Sequence, residues 1–165
     1  PGVAVPKLAN LTKGATELKF TLDVNAKVPL GDYQVLFTGK AKPKDKEFTA
    51  STPALDLVVG PAFDLKIEPA LLTLKPGDKG KVKVTATRRG GYKGPINLEV
   101  RKLPDGLAAG KGVIAADQST VDIEVAAAAT TPPGDKADVD VLGTAAALNN
   151  LPNASPAFTV RVEKK

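Results

Sequence analysis

Eighteen Asp and Glu residues, with no His and no Cys, bound the chemistry open to this chain. Serine or cysteine nucleophiles activated by histidine are excluded, because the base or the thiol is missing. Zinc sites built from nitrogen and sulfur fail for the same reason. Acid–base catalysis by paired carboxylates would need tuned groups in a sheltered place. The acids instead fall at outward strand positions, as Asp122 and Glu124 do on either side of Ile123. The one oxygen-rich cluster with a metal-like look is Asp135-x-x-Asp138-x-Asp140. Strand alternation puts Asp138 and Asp140 on one face, with Asp135 at the preceding turn, which makes a calcium candidate on the expected solvent side. No cofactor and no enzymatic activity are expected.

Binding chemistry concentrates in one loop, Arg88-Arg89-Gly90-Gly91-Tyr92-Lys93. Arginine and tyrosine are frequent anchors at protein interfaces, so Arg88, Arg89, Tyr92 and Lys93 form the candidate contact tip. The competing reading is a solvated Gly-rich connection. Sugar binding on a β-surface calls for aromatic platforms, and here only Tyr92 is placed for that, so a polysaccharide is the weaker partner class. Asn10-Leu11-Thr12 and Asn153-Ala154-Ser155 match the glycosylation pattern and are read as coincidental.

The elements that position these residues follow from period-2 alternation, the mark of half-buried strands. It predicts strands over 63–67, 72–74, 81–87, 96–100, 113–114, 121–125, 137–141 and 158–162. Lys75-Pro76-Gly77-Asp78 and Thr131-Pro132-Pro133-Gly134-Asp135 are turns, with proline presetting φ and glycine taking the strained position. The Ala-rich stretches 126–129 and 145–147 have Pro or Gly nearby, which holds any helix to about one turn.

Composition agrees with an all-β chain. At 165 residues with 42% hydrophobic content it can bury a core, and 4% aromatics leave Val, Leu, Ile and Ala to fill it. No apolar run nears the roughly 20 residues of a membrane-spanning helix, and membrane contact is not indicated. The net charge of +5 is spread out: 8 Lys oppose 6 acids up to Gly60, and 15 basic groups oppose 12 acids beyond it. A nucleic-acid partner would call for a focused basic stripe. The densest run, Lys40 to Glu47, contains Pro43 and two acids and reads as a solvated loop. The absence of methionine predicts that Pro1 is a processed or cut end.

The chain also matches itself. Thr16, Leu18, Phe20, Leu22, Pro29, Gly31 and Asp32 align without a gap on Ser119, Val121, Ile123, Val125, Pro132, Gly134 and Asp135. After one inserted residue, Val35, Phe37 and Gly39 align on Val139, Val141 and Gly143. Residues 51–57 then align on 154–160, and Pro1 to Ala4 correspond to Asp105 to Ala108. Residues 1–60 therefore read as the C-terminal half of a unit that residues 61–165 contain whole, with the counterpart of 61–104 missing. Strands 18–24, 33–37 and 55–59 are expected in that half. It would leave an apolar face and sheet edges uncovered, to be completed by upstream strands or by strands donated from another chain. The short junction Val59-Gly60-Pro61 predicts units set end to end with little swing.

The series Pro76-Gly77, Val82-x-Val84-x-Ala86, Gly90-Gly91-Tyr92-x-Gly94-Pro95-Ile96 and Leu103-Pro104-Asp105-Gly106-Leu107 resembles bacterial Ig-like domains, which occur in tandem in large secreted proteins. The resemblance covers residues 61–163 and, for the back half, 1–60. It implies tandem immunoglobulin-like β-sandwiches, the second of about seven strands and about 100 residues. Tyr33, after Pro29-Leu30-Gly31-Asp32, sits where a tyrosine corner of that fold would bond back to a neighbouring loop, whereas the second unit has Lys136. The function implied is a non-catalytic spacer or protein-interaction module, extracellular or in the cell envelope or periplasm. Its partners would be a protein or upstream domains of the same chain. An accessory module of an upstream secreted peptidase or glycosidase is the alternative.

Overall fold

The computed structural model describes residues 3–4, 8, 10–25 and 27–164. The chain is almost entirely β and divides into two compact units, Pro1–Gly60 and Pro61–Lys165. In the first unit the strands are β1 (Val3–Ala4), β2 (Asp23–Val24), β3 (Gly31–Val35), β4 (Thr38–Ala41), β5 (Phe48–Ser51) and β6 (Leu55–Val59). They pair as antiparallel couples β1–β2, β3–β6 and β4–β5. The basic run predicted as a loop is a hairpin: Lys40 and Ala41 belong to β4, and Pro43–Asp45 make a 3-10 turn at its tip. It is solvated throughout, with Lys40 bonded to Glu47 at 3.1 Å.

The predicted strand over 18–24 is present only at Asp23–Val24. Among the described residues, no strand pairs with 18–22, and a strand persists only where another edge takes its N–H and C=O groups. Val28 is the one buried hydrophobic side chain among the described residues of this unit. Phe20 and Phe37 meet edge to face at 4.9 Å.

In the second unit the strands are β7 (Phe63–Glu68), β8 (Leu71–Leu74), β9 (Lys79–Arg88), β10 (Ile96–Arg101), β11 (Leu107–Ala109), β12 (Gly112–Ile114), β13 (Thr120–Ala127), β14 (Gly134–Ala145), β15 (Leu151–Ala154) and β16 (Phe158–Val162). Two of these, β11 and β15, lie beyond the alternation-based expectation; both are short and add to the flanks of longer strands. Ala146–Leu148 form a single 3-10 turn, while Ala126 and Ala127 end β13 in extended form.

One sheet runs β11-β13-β9-β7 and the other β12-β10-β14-β16-β8, with β15 on the flank of β14. The successive strands β7 and β8 lie in different sheets, and β8 runs parallel to the last strand β16. Alternate residues of both sheets enter one core, including Phe63, Val82, Val84, Ile96, Ile114, Ile123, Val125, Val139, Val141 and Val160. Each such side chain contributes about 1.5–3 kcal/mol by leaving water, and the intervening Lys81, Lys83, Asp122 and Glu124 stay exposed. The sheets meet closely at Gly143 of β14, where a Cβ would lie 2.7 Å from the Phe63 ring of β7.

Residues matched in sequence pair in the same register. Val3↔Val24 and Ala4↔Asp23 take the places of Leu107↔Ala127 and Ala108↔Ala126. Gly31↔Val59 and Tyr33↔Leu57 do so for Gly134↔Val162 and Lys136↔Val160. Thr38↔Ser51 and Ala41↔Phe48 likewise stand for Leu142↔Ala154 and Ala145↔Leu151. Even the hydroxyl clamps correspond. The Phe37 N–H donates to Thr52 Oγ1 at 3.2 Å, and the Val141 N–H to Ser155 Oγ at 3.0 Å. Pro1 and Gly2 of the sequence match lie outside the described residues.

Candidate functional site

The loop that sequence reasoning nominated for binding is built mainly from internal bonds. Gly90 and Gly91 both have positive φ, +56° and +73°, which L side chains adopt only with strain, and they turn the chain so that the Tyr92 N–H reaches the Arg89 carbonyl at 3.0 Å. Arg88, the last residue of β9, is half-buried. Its guanidinium donates to the carbonyls of Gln118, Ala115 (2.6 Å) and Gly94 (3.4 Å), tying two loops to the strand end. Tyr92 is not the free ring expected of an exposed tip. It lies half-buried against the core edge and donates its hydroxyl to the Pro95 carbonyl at 2.7 Å. The ring occupies the space over Gly94, where a Cβ would meet it at 2.6–2.9 Å. Arg89 pairs with Asp64, and Lys93 remains exposed.

The three candidate calcium ligands each face a cation of the chain itself. Asp135 accepts two bonds from Arg161, at 2.8 and 2.7 Å, and Asp138 lies 3.0 Å from Lys136. Asp140 was expected on the solvent face with Asp138 but is buried, at 7% exposure. Its neighbours Val139 and Val141 both enter the core, so Asp140 alternates outward as expected, but Arg101 of β10 stands directly opposite it and, with Lys102, covers the carboxylate. Asp140 accepts a forked pair of bonds from Arg101, at 2.7 and 3.0 Å, and a third contact from Lys102 at 3.2 Å. Among the described residues no group of three carboxylates converges as a metal site.

These contacts set the titration of the acids. Burial pulls the Asp140 carboxyl up, but the hydrogen bonds from Arg101 and Lys102 outweigh it and hold it below the usual range. The Asp135 and Asp138 carboxyls are lowered by their bonds to Arg161 and Lys136. A depressed folded pKa contributes stability that is complete above the ordinary carboxylate value, about 3.9, and is lost as pH falls through the lower folded one. The unfolding midpoint of the second unit should therefore hold steady near neutrality and drop from about pH 4 downward. Asp140→Asn should cost about 1–2 kcal/mol at pH 7 and flatten that acid limb. Thermal unfolding followed by circular dichroism from pH 2 to 7 checks both; an unchanged acid limb in the variant would refute the assignment.

Tyr33 donates its hydroxyl to the Pro29 carbonyl at 2.7 Å, back across the turn that precedes β3. At the matched place in the second unit Lys136 bonds to Asp138, and Thr131 holds the turn by donating to the Gly106 carbonyl at 2.8 Å. The Asn153 amide of the second glycosylation pattern donates to the Phe63 carbonyl at 2.7 Å.

No family model and no curated protein matches this chain. Among the described residues no helix is long and apolar enough to cross a membrane.

What remains open is the apolar surface of the first unit, the uncovered face expected of strands 18–24, 33–37 and 55–59. Leu18, Phe20, Val24 and Leu55 are exposed there. Val3, Ala4, Asp23, Val24 and Asn25 line an open hollow of about 320 Å³. The signal for this surface lies in the self-match, which aligns these apolar residues on core residues of the second unit.

Proposed function

We propose that residues 61–165 form an immunoglobulin-like β-sandwich, that residues 1–60 are the back half of a second one, and that the chain serves as a non-catalytic structural or protein-docking module of an exported bacterial protein. The strand order supports the fold reading. The sheet β7-β9-β13-β11 has the A-B-E-D order of immunoglobulin domains, and β10-β14-β16 has the order C-F-G.

The observation that carries the functional reading is the use of the polar side chains. Arg88, Arg101, Arg161, Tyr92, Asp135 and Asp140 are each committed to a bond within their own unit. Groups held in this way stiffen a fold and leave its outer face as a general surface for neighbours. A protein partner, or further domains of the same polypeptide, suits this better than a small molecule.

Cell fractionation of the native protein, combined with lysine cross-linking and peptide mapping, tests the proposal. Recovery in the envelope or extracellular fraction, with cross-links from surface lysines such as Lys93 to another domain or protein, is the expected result. Recovery in the cytoplasm, without such cross-links, would refute it.

A further inference from the structure

We infer that the open face of residues 16–60 is an acceptor for a β-segment of the 61–104 type, and that the occupant is a stretch of polypeptide distinct from residues 1–165. The inference builds on reading the two units as copies. The second unit shows the same surface occupied. There β13 carries β9 along its edge, β14 carries β10, and β16 carries β8 in parallel. By the matched registers, the corresponding free edges in the first unit are Glu17–Asp23, the β3–β4 stretch and β6.

Burial at matched positions marks the face that is waiting. Ile123 is 2% exposed and Phe20 is 38%; Ala127 is 6% and Val24 is 42%; Phe158 is 3% and Leu55 is 54%. The residue types are apolar in both units, yet in the first unit they stay partly open to water. Gly39 sharpens the point. Its counterpart Gly143 has no room for a Cβ because the Phe63 and Leu65 side chains press on it, at 2.7 and 2.9 Å, whereas a Cβ at Gly39 would meet nothing closer than the Ala50 carbonyl at 3.9 Å. Gly39 leaves space for a ring that no described residue of the first unit fills.

Charge then decides which strand fits. In the second unit Asp122 lies opposite Lys83, and Glu124 opposite Lys81. The residues matched to these two acids are Lys19 and Thr21. A second copy's β9 would set its Lys83 directly opposite Lys19, and like charges at opposed positions destabilise a strand pair. Residues 61–104 are moreover already built into the second unit. The occupant therefore carries alternating Val, Leu or Ile residues, an aromatic ring over Gly39, and an acidic or neutral residue opposite Lys19.

The test uses the full chain with a second copy of residues 61–104 joined ahead of residue 1, the copy carrying Lys83→Glu. Hydrogen exchange is followed by NMR, and the amides of β9 and β13 report that the second unit is intact. Protection across residues 17–23 should rise at least about tenfold over the parent chain. Gly39→Val should abolish the gain in the fusion while leaving the parent's exchange unchanged, and restoring Lys83 in the copy should reduce it. Unchanged exchange at 17–23 with an intact second unit would overturn the inference. So would a parent chain that sediments as a dimer with those amides already protected, because a second copy would then be the occupant. Failure of the fusion with β9 and β13 intact leaves the proposed module role standing, whereas loss of the copy relation itself would show as protection gained outside the matched registers.

Discussion

Replacing Ile123 by alanine should lower the stability of the second unit by about 3–4 kcal/mol, while Phe20→Ala at the matched position should cost under about 1 kcal/mol. Ile123 is fully enclosed, touches the space over Gly112 and sits among Val82, Val84 and Val125 in the shared core. Its truncation removes buried methyl groups and leaves a cavity that the two sheets cannot close. Phe20 loses its contact with Phe37, but at 38% exposure it is far less enclosed than Ile123 and its truncation leaves no closed cavity. For a domain of this size the first change corresponds to a fall in midpoint of roughly 12–30 °C. Thermal or denaturant unfolding of the two variants beside the parent checks the contrast. Equal effects would mean that the first unit buries the strip by a contact not seen here.

The second large effect is expected at Arg88. Arg88→Ala should destabilise the second unit by about 2–4 kcal/mol, because three loop carbonyls lose a charged donor at one end of the sandwich. Arg88→Lys should recover only part of this, since an ammonium cannot span carbonyls from the 93–95 and 115–118 loops with a planar fork. Arg89→Ala, next in sequence, should fall within about 1 kcal/mol, as its pair with Asp64 is largely solvated. Equilibrium unfolding in urea distinguishes the three variants. A neutral Arg88→Ala would return the loop to the role of a free recognition tip. The same geometry warns that a triple alanine change at Arg88, Arg89 and Tyr92 mixes loss of fold with loss of binding; Lys93→Glu is the cleaner probe of contact.

Much of the architecture was legible in the residues. Alternation located β7, β9, β10, β13 and β16, because a strand between core and water writes its two faces into adjacent positions. The one-turn limit on helix at 145–147 followed from nearby Gly and Pro, and Ala146–Leu148 is one 3-10 turn. The candidate sites were less legible. Tyr92 and Arg88 have the composition of a contact tip, yet their polar atoms are taken by carbonyls at Pro95, Ala115 and Gln118. Those partners are positioned by the fold and leave no trace in local spacing. Asp140 alternates with the core residues Val139 and Val141 as the spacing implied, yet it is buried because Arg101 and Lys102, brought there by the neighbouring strand, close over it.

Residues 16–24 and 119–127 divide most clearly what each level decides. By itself the sequence determined that both stretches carry the same apolar stripe, the same following turn and the same alignment of later strands. Only the tertiary structure decided that 120–127 is an eight-residue strand with a buried face, while its match is a ladder for two residues and otherwise exposed. The reason is that periodicity encodes which face is apolar, whereas hydrogen-bond partners and burial come from segments distant in the chain. Strand β13 has β9 and β11 on its two edges; among the described residues the stretch 17–24 has only Val3–Ala4.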